Sequence, residues 1–257
     1  MPPGRRGRGS RKGQSMSKTR LEGRIARDIF LRRFRLERSY RPPALLRHPE
    51  WNVSAPLDLV VAARLLALAG AGREMAFLQV GGFDGGPGDP IHPLVERHHL
   101  RGVIVEPQGA AFEALRARYA PHPMVKLVNA AIDRQDGHRD FYSTARESQK
   151  ASFNRAHLLK NGIGPEQIVT HVVRTVTIAT LLAEVELPRV DLIQIDTEGY
   201  DYEVIKAIDV ANRRPAIIRF EQEHLSEADC DECVAMLASH GYRFISERRD
   251  LIAVLEE

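Results

Sequence analysis

The residues in this chain best suited to chemistry are Asp196, Glu198, Glu221 and His224. Asp196 and Glu198 close the segment DLIQIDTEG, directly after an apolar run, and Gly199 lets the backbone turn tightly behind them. Glu221 ends a second apolar run, AIIRFE, and His224 follows three residues later. Acids at the carboxyl ends of buried strands face the crevice in which open α/β sheets bind ligands. Helix capping accounts for one acid in such a turn but not for several. Carboxylates beside an imidazole, whose ordinary pKa is about 6.5, can take a proton from a substrate at neutral pH.

A second stretch, AFLQVGGFDGGPGD at 76–89, must position whatever those groups act on. It begins as a buried strand and breaks into glycine, the way parallel α/β folds bring backbone close to a ligand. The dinucleotide fingerprint G-x-G-x-x-G fails, because Phe83 stands where the second glycine belongs. No Gly-Lys-Ser/Thr follows, so the phosphate-cradling P-loop fails as well. Tight glycines without a phosphate cradle suit S-adenosylmethionine, whose methionine moiety passes close to backbone. Glu106 ends the strand GVIVE, 25 residues after Gly81, where an acid can accept both hydroxyls of a ribose. Pro107 then turns the chain.

Strand and helix signals alternate from Ala76 onward, which predicts a mostly parallel sheet with helices on both faces. Strands are expected at 76–80, 102–106, 125–130, 172–176, 190–195, 216–221, 242–246 and 251–255. Helices are expected at 56–69, 90–99, 108–119, 178–185, 200–208 and 226–240. The last two strands are four residues apart, too close for a parallel crossover, so they form an antiparallel hairpin. That ending is usual in S-adenosylmethionine-dependent methyltransferases and uncommon in dinucleotide-binding dehydrogenases. The segment 144–165, with Ser152, Phe153, Asn154 and His157, reads as a long loop suited to covering a substrate.

The blocks FLQVGGFDGGPGDPIHPLV, GVIVEP, VNAAI, DLIQIDTEGYDYEVIK and RPAIIRFEQEHL together resemble the FkbM family of S-adenosylmethionine-dependent methyltransferases, over about residues 75–255. The resemblance implies a class I methyltransferase fold, α/β and Rossmann-like, with a seven-stranded mostly parallel sheet and the C-terminal antiparallel hairpin. It implies methyl transfer to hydroxyl groups of small molecules or glycans. Carried over by position, Gln79, Gly81, Gly82, Phe83, Asp84 and Gly85 form the cofactor loop, and Glu106 with Pro107 holds the ribose. Asn129, Ala130 and Ala131 lie near the adenine, and Asp196 faces the methionine end. His224, Glu221, Asp196 and Glu198 are the candidates for the general base. The family often has Gly-Ala-Asn where this chain has Gly81, Gly82 and Phe83, and Gln79 replaces an acid common in class I methyltransferases. No metal-specific spacing assigns a metal, although some O-methyltransferases hold a divalent ion with carboxylates. Alternatives are a non-catalytic binding protein on the same fold, an NAD-dependent oxidoreductase, or an RNA methyltransferase.

Charge divides the chain. Residues 1–47 carry 15 Lys and Arg against three acids, a net of +12, leaving −9 on the remainder. An acidic body repels a phosphate backbone, which argues against nucleic acid as partner. The expected layout is a basic disordered tail at 1–17, a helical extension at 18–72 and the methyltransferase domain at 73–257. The basic amphipathic helix at 18–39 is expected to pack on the body or on a second copy in a homodimer. With no apolar stretch of membrane-spanning length and no secretory signal, a cytoplasmic location is expected. Cys230 and Cys233 form C-x-x-C within one helical segment and read as structural. His92, His98 and His99 read as a solvated helix face.

Overall fold

The computed structural model describes residues 53–247 and 249–256. The expected tail at 1–17 and helix at 18–39 lie outside the described residues. Seven strands build the main sheet: β2 (Ala76–Val80), β3 (Arg101–Val105), β4 (Val125–Val128), β8 (Leu192–Ile195), β9 (Ile217–Glu221), β10 (Tyr242–Glu247) and β11 (Asp250–Leu255). Their order is β10-β11-β9-β8-β2-β3-β4, and a two-residue strand β1 (Val53–Ser54) adds parallel to β10 at one edge. Only β11 is antiparallel, slotted between β9 and β10 with Tyr242 opposite Leu255 and Glu247 opposite Asp250. This is the class I methyltransferase arrangement.

The central strands read as continuous apolar runs because both faces are covered. All four residues of β8 are buried, and so are the last four of β2 and of β3. One face is covered partly by α1 (Leu57–Gly70), whose Leu57, Val61 and Leu68 enter a core cluster with Phe77, Ile104, Leu115 and Leu192. The backbone N–H of Leu57 donates to Glu247 Oε1 at 2.7 Å, fixing the start of α1 to β10. The helices α2 (His92–His98) and α3 (Gly109–Tyr119) cross from β2 to β3 and from β3 to β4. The glycine at 102 is required by packing, since a Cβ there would stand 2.3 Å from the Phe77 ring.

The structure departs from the expected layout between residues 131 and 176. A second sheet, ordered β5-β7-β6, is formed by β5 (Ala131–Ile132), β6 (Gly137–Thr144) and β7 (Ile168–Val176). The expected strand at 172–176 is therefore the end of a longer strand outside the main sheet. Strand β6 is absent from the expected set because GHRDFYST is exposed along half its length and lacks a clean apolar alternation. The segment expected as a long loop contains the helix α4 (Arg155–Lys160), capped by the Asn154 side chain accepting from the Ala156 N–H at 3.0 Å. The remaining helices are α5 (Ile178–Glu184), α6 (Asp201–Ala207), α7 (Val210–Arg213) and α8 (Glu227–Ser239). Cys230 and Cys233 are buried on α8, and burial pushes the Cys233 thiol well above its ordinary pKa, consistent with a packing role. Among the described residues no helix is long and apolar enough to cross a membrane.

Candidate active site

The chain reverses its direction of sheet growth between β2 and β8, which lie side by side and parallel. Ligands bind outside the carboxyl ends of strands at such a switch point. A cavity of about 400 Å³ opens there. Its floor is the turn after β2, with Gly81, Gly82, Phe83 and Asp84; its sides include Glu106, Pro107, Ala130, Ala131, Asp196 and Glu198. Gln79 at the end of β2 also lines it.

The glycines are set by contact. A Cβ on Gly81, at φ +84°, would lie 1.9 Å from the carbonyl oxygen of Asp196, and one on Gly82 would lie 2.4 Å from Ile104 Cγ2. An alanine at position 82 has no room here. Phe83 sits at φ +43°, in the left-handed region that asparagine tolerates better than a bulky side chain. Gly85, at φ +63°, shapes the turn from behind, against Leu115, Arg118 and Tyr119, and does not line the cavity.

Glu106 is buried and braces the glycine turn. Its Oε2 accepts from the Phe83 N–H at 2.8 Å and its Oε1 from the Gln108 N–H at 2.8 Å. Burial outweighs those two donors and pushes its pKa up to about 7. Asn129 does not line the cavity; its amide donates to the carbonyls of Glu106 at 2.8 Å and Pro107 at 3.2 Å, holding the turn that presents Glu106. Gln79 donates through Nε2 to Asp89 Oδ1 at 3.0 Å, while its Oε1 is buried without a partner. Asp89 also accepts from the Ile91 N–H and the Tyr119 hydroxyl, so this acid is anchored beside Gln79.

Asp196 follows β8, and its exposed surface opens onto the cavity. Surrounding protein and the nearby acids Asp201, Glu198 and Asp250 push its pKa up to about 8. Glu198 shares the cavity wall, whereas Glu221 and His224 stand behind it. Glu221 is pushed up to about 9 by burial and by Asp196, Asp201 and Glu198. His224 Nε2 lies 3.5 Å from Glu198 Oε2 and 3.6 Å from Glu221 Oε2. The last acid of the motif, Asp201, is fully buried and structural: it accepts from the N–H and hydroxyl of Thr197 and from the Glu221 N–H. It thereby ties the end of β8 to the end of β9.

The sequence reading did not find the outer wall. Phe141 from β6, Phe153 before α4 and Tyr200 line the cavity with Ala151 and Gln149. Phe153 stacks edge-on with Phe141 at 5.2 Å and with Tyr200 at 5.0 Å, and the Arg139 guanidinium lies 4.5 Å above its ring. Arg139 is held in turn by Asp133 and the Tyr200 hydroxyl. Phe153 was within reach, since it belongs to the segment singled out as a cover; Phe141 was not, because β6 was not expected. His157, on α4, is also brought to the site, 2.9 Å from Glu198 Oε2. The expected histidine face is mixed: His99 is exposed and His98 half-buried, but the His92 ring packs on Tyr119 and His122 at 5.1 and 5.6 Å.

No curated protein matches the chain. Among solved structures it is similar to a methyltransferase FkbM from Methylobacillus flagellatus KT, with 13% identity, a TM-score of 0.46, and coverage of 91% of this chain and 59% of that one. It is similar to the fibrillarin pre-rRNA processing protein of Methanococcus jannaschii, with 10% identity, a TM-score of 0.39, and coverage of 72% and 67%. It is also similar to the N-terminal domain of human METTL16 in complex with SAH, with 11% identity, a TM-score of 0.42, and coverage of 93% and 84%. The chain spans about three fifths of the length of the Methylobacillus structure. The family described as the methyltransferase FkbM domain matches residues 80–244, most of the described fold, and the chain belongs to that family.

Proposed function

We propose that this protein is an S-adenosylmethionine-dependent O-methyltransferase acting on a hydroxyl of a small molecule or glycan, with 73–257 as its catalytic domain. The observation that carries the reading is Glu106: a buried carboxylate at the tip of the second strand, lining the cavity and bonded to the glycine turn. That is where a ribose needs an acceptor for two hydroxyls. The donor set fits the rest of the cofactor. Gln79 Oε1 is a buried acceptor without a partner, and an ammonium supplies the missing donor. Ala130 and Ala131 leave a flat apolar strip for an adenine, and Phe141 and Phe153 face the same cavity.

When bound, S-adenosylmethionine supplies an electrophilic methyl group on a sulfonium. The chain must then hold the acceptor hydroxyl in line and remove its proton. Asp196 is the group placed for that, because it opens onto the cavity and no hydrogen bond ties its carboxylate among the described residues. The aromatic wall of Phe141, Phe153 and Tyr200 is suited to cover the reaction from water. Transfer of label from methyl-labelled S-adenosylmethionine to a panel of hydroxylated small molecules and glycans tests the reading. Asp196→Asn is expected to lower transfer by about 100-fold or more while leaving the fold intact. Labelling of RNA but of no hydroxylated small molecule or glycan would overturn the acceptor class.

A further inference from the structure

At the cavity wall, where Glu198 lines the cavity and His157 and His224 do not, lies a donor set that methyl transfer does not require. His157 from α4, Glu198 from the turn after β8, and His224 from the segment after β9 bring three ligand atoms within 4.8 Å of one another. His157 is 3% exposed, Glu198 18% and His224 20%, so this is no solvated surface pair. The two imidazoles meet edge to face at 4.6 Å. Glu221 adds a carboxylate oxygen, buried and without a hydrogen-bond donor, 3.6 Å from His224 Nε2.

Three features go beyond an ordinary ion pair. First, the demands on His157 Nε2 conflict. The Asn161 amide nitrogen donates to the His157 carbonyl at 3.0 Å, which fixes the orientation of the amide, and the same nitrogen lies 3.0 Å from Nε2. Nε2 has one in-plane position. Protonated, it opposes the Asn161 N–H; unprotonated, it turns a lone pair on the Glu198 carboxylate. A cation between Nε2 and Oε2 removes the repulsion of lone pair and carboxylate, and the Asn161 amide keeps its bond to the His157 carbonyl. Second, Glu198 stands at φ +53°, a strained position for glutamate, and Gly199 follows at φ +87°. The hypothetical Cβ of Gly199 would lie 3.2 Å from His157 Nδ1 and 3.7 Å from His224 Cβ, so the turn leaves room for both rings to close on Glu198. Third, the spacing fits. Metal–nitrogen bonds of 2.0–2.1 Å in a tetrahedral site put neighbouring ligand atoms about 3.4 Å apart. Within the set, His224 Nε2 stands 3.5 Å from Glu198 Oε2, and the His157 Nε2 to Glu198 Oε2 separation of 2.9 Å needs to open by about half an ångström.

We infer that His157, Glu198 and His224 bind a divalent first-row transition cation such as Zn²⁺, with an outside ligand in the fourth position. Two imidazoles and a carboxylate are the donor set of such ions and not of Mg²⁺ or Ca²⁺, which favour all-oxygen sites. The ion would fasten α4 to the turn carrying Asp196 and Glu198, joining the two sides of the cavity. The site does not depend on the methyltransferase reading, and neither does its test.

The test is calorimetric titration of the full chain, stripped with a chelator, with Zn²⁺. One saturable site per chain is expected, weakened about tenfold or more in His157→Ala and in His224→Ala, and unchanged in the His92→Ala/His122→Ala double variant. Absence of a saturable site would overturn the inference, as would loss of binding in the His92/His122 variant alone. Because truncating the buried His157 can unfold α4, the absorption spectrum of the Co²⁺-loaded wild-type chain gives an independent readout. Intense visible bands of a tetrahedral ion are expected; the weak spectrum of an octahedral, all-oxygen site would contradict it.

Discussion

Gly81 and Asp196 touch through their backbones: a Cβ on Gly81 would stand 1.9 Å from the Asp196 carbonyl oxygen. The glycine turn and the acidic motif, 115 residues apart, are thus two sides of one junction between β2 and β8. Gly81→Ala cannot be accommodated by a side-chain shift, because the obstacle is backbone, and the left-handed φ adds strain. A loss of about 2 kcal/mol or more is expected, read as a lower denaturant midpoint at unchanged slope.

Gln79 and Asp89 form a side-chain pair beside the glycine turn. An acid at 79 would face the Asp89 carboxylate, which now accepts from Gln79 Nε2 at 3.0 Å. Gln79→Glu is therefore expected to lower stability by about 1 kcal/mol or more at neutral pH, and Gln79→Glu/Asp89→Asn to recover part of it. Thermal melts of the two variants check this; equal melting temperatures for wild type and Gln79→Glu would refute the pairing.

Much of the fold and part of the site could be read from residue order. Val80, Val105 and Ile195 each end an apolar run before a turn, so β2, β3 and β8 and their tips were legible, and with them Gly81, Glu106 and Asp196. The short spacing before β11 revealed the hairpin. The second sheet was not legible, because β6 is solvated along half its length and its partner β7 follows only after α4. His157 was noticed only as part of a loop. Its meeting with Glu198 depends on how that segment folds back, which no local pattern encodes.

Asp201 illustrates the limit of reading acids as chemistry. It is buried and accepts three hydrogen bonds, two from Thr197 and one from the Glu221 backbone. Asp201→Ala leaves these donors without an acceptor, so a loss of about 3 kcal/mol or more is expected in chemical denaturation.

Glu106 predicts a pH dependence with a defined sign. Its pKa rises from an ordinary 4.5 to about 7 in the folded chain, so between those values the folded state holds a proton that the unfolded state has released. Its contribution to stability therefore falls as pH rises from about 4.5 to 7 and is level above that. Ribose binding runs the other way, since the carboxylate is the better acceptor. Cofactor affinity is expected to rise by up to about tenfold between pH 6 and 8. Glu106→Gln should flatten both trends; a titration that keeps its slope in that variant would assign the pH effect elsewhere.

The central claim is that Glu106 and the glycine turn hold S-adenosylmethionine. Calorimetry of the full chain with S-adenosylmethionine, S-adenosylhomocysteine and NAD tests it most directly. One-site binding of the first two is expected, weakened about 100-fold or more in Glu106→Ala, where two charge-assisted hydrogen bonds are lost. Binding of NAD in preference to either, or S-adenosylmethionine binding unchanged in Glu106→Ala, would contradict it.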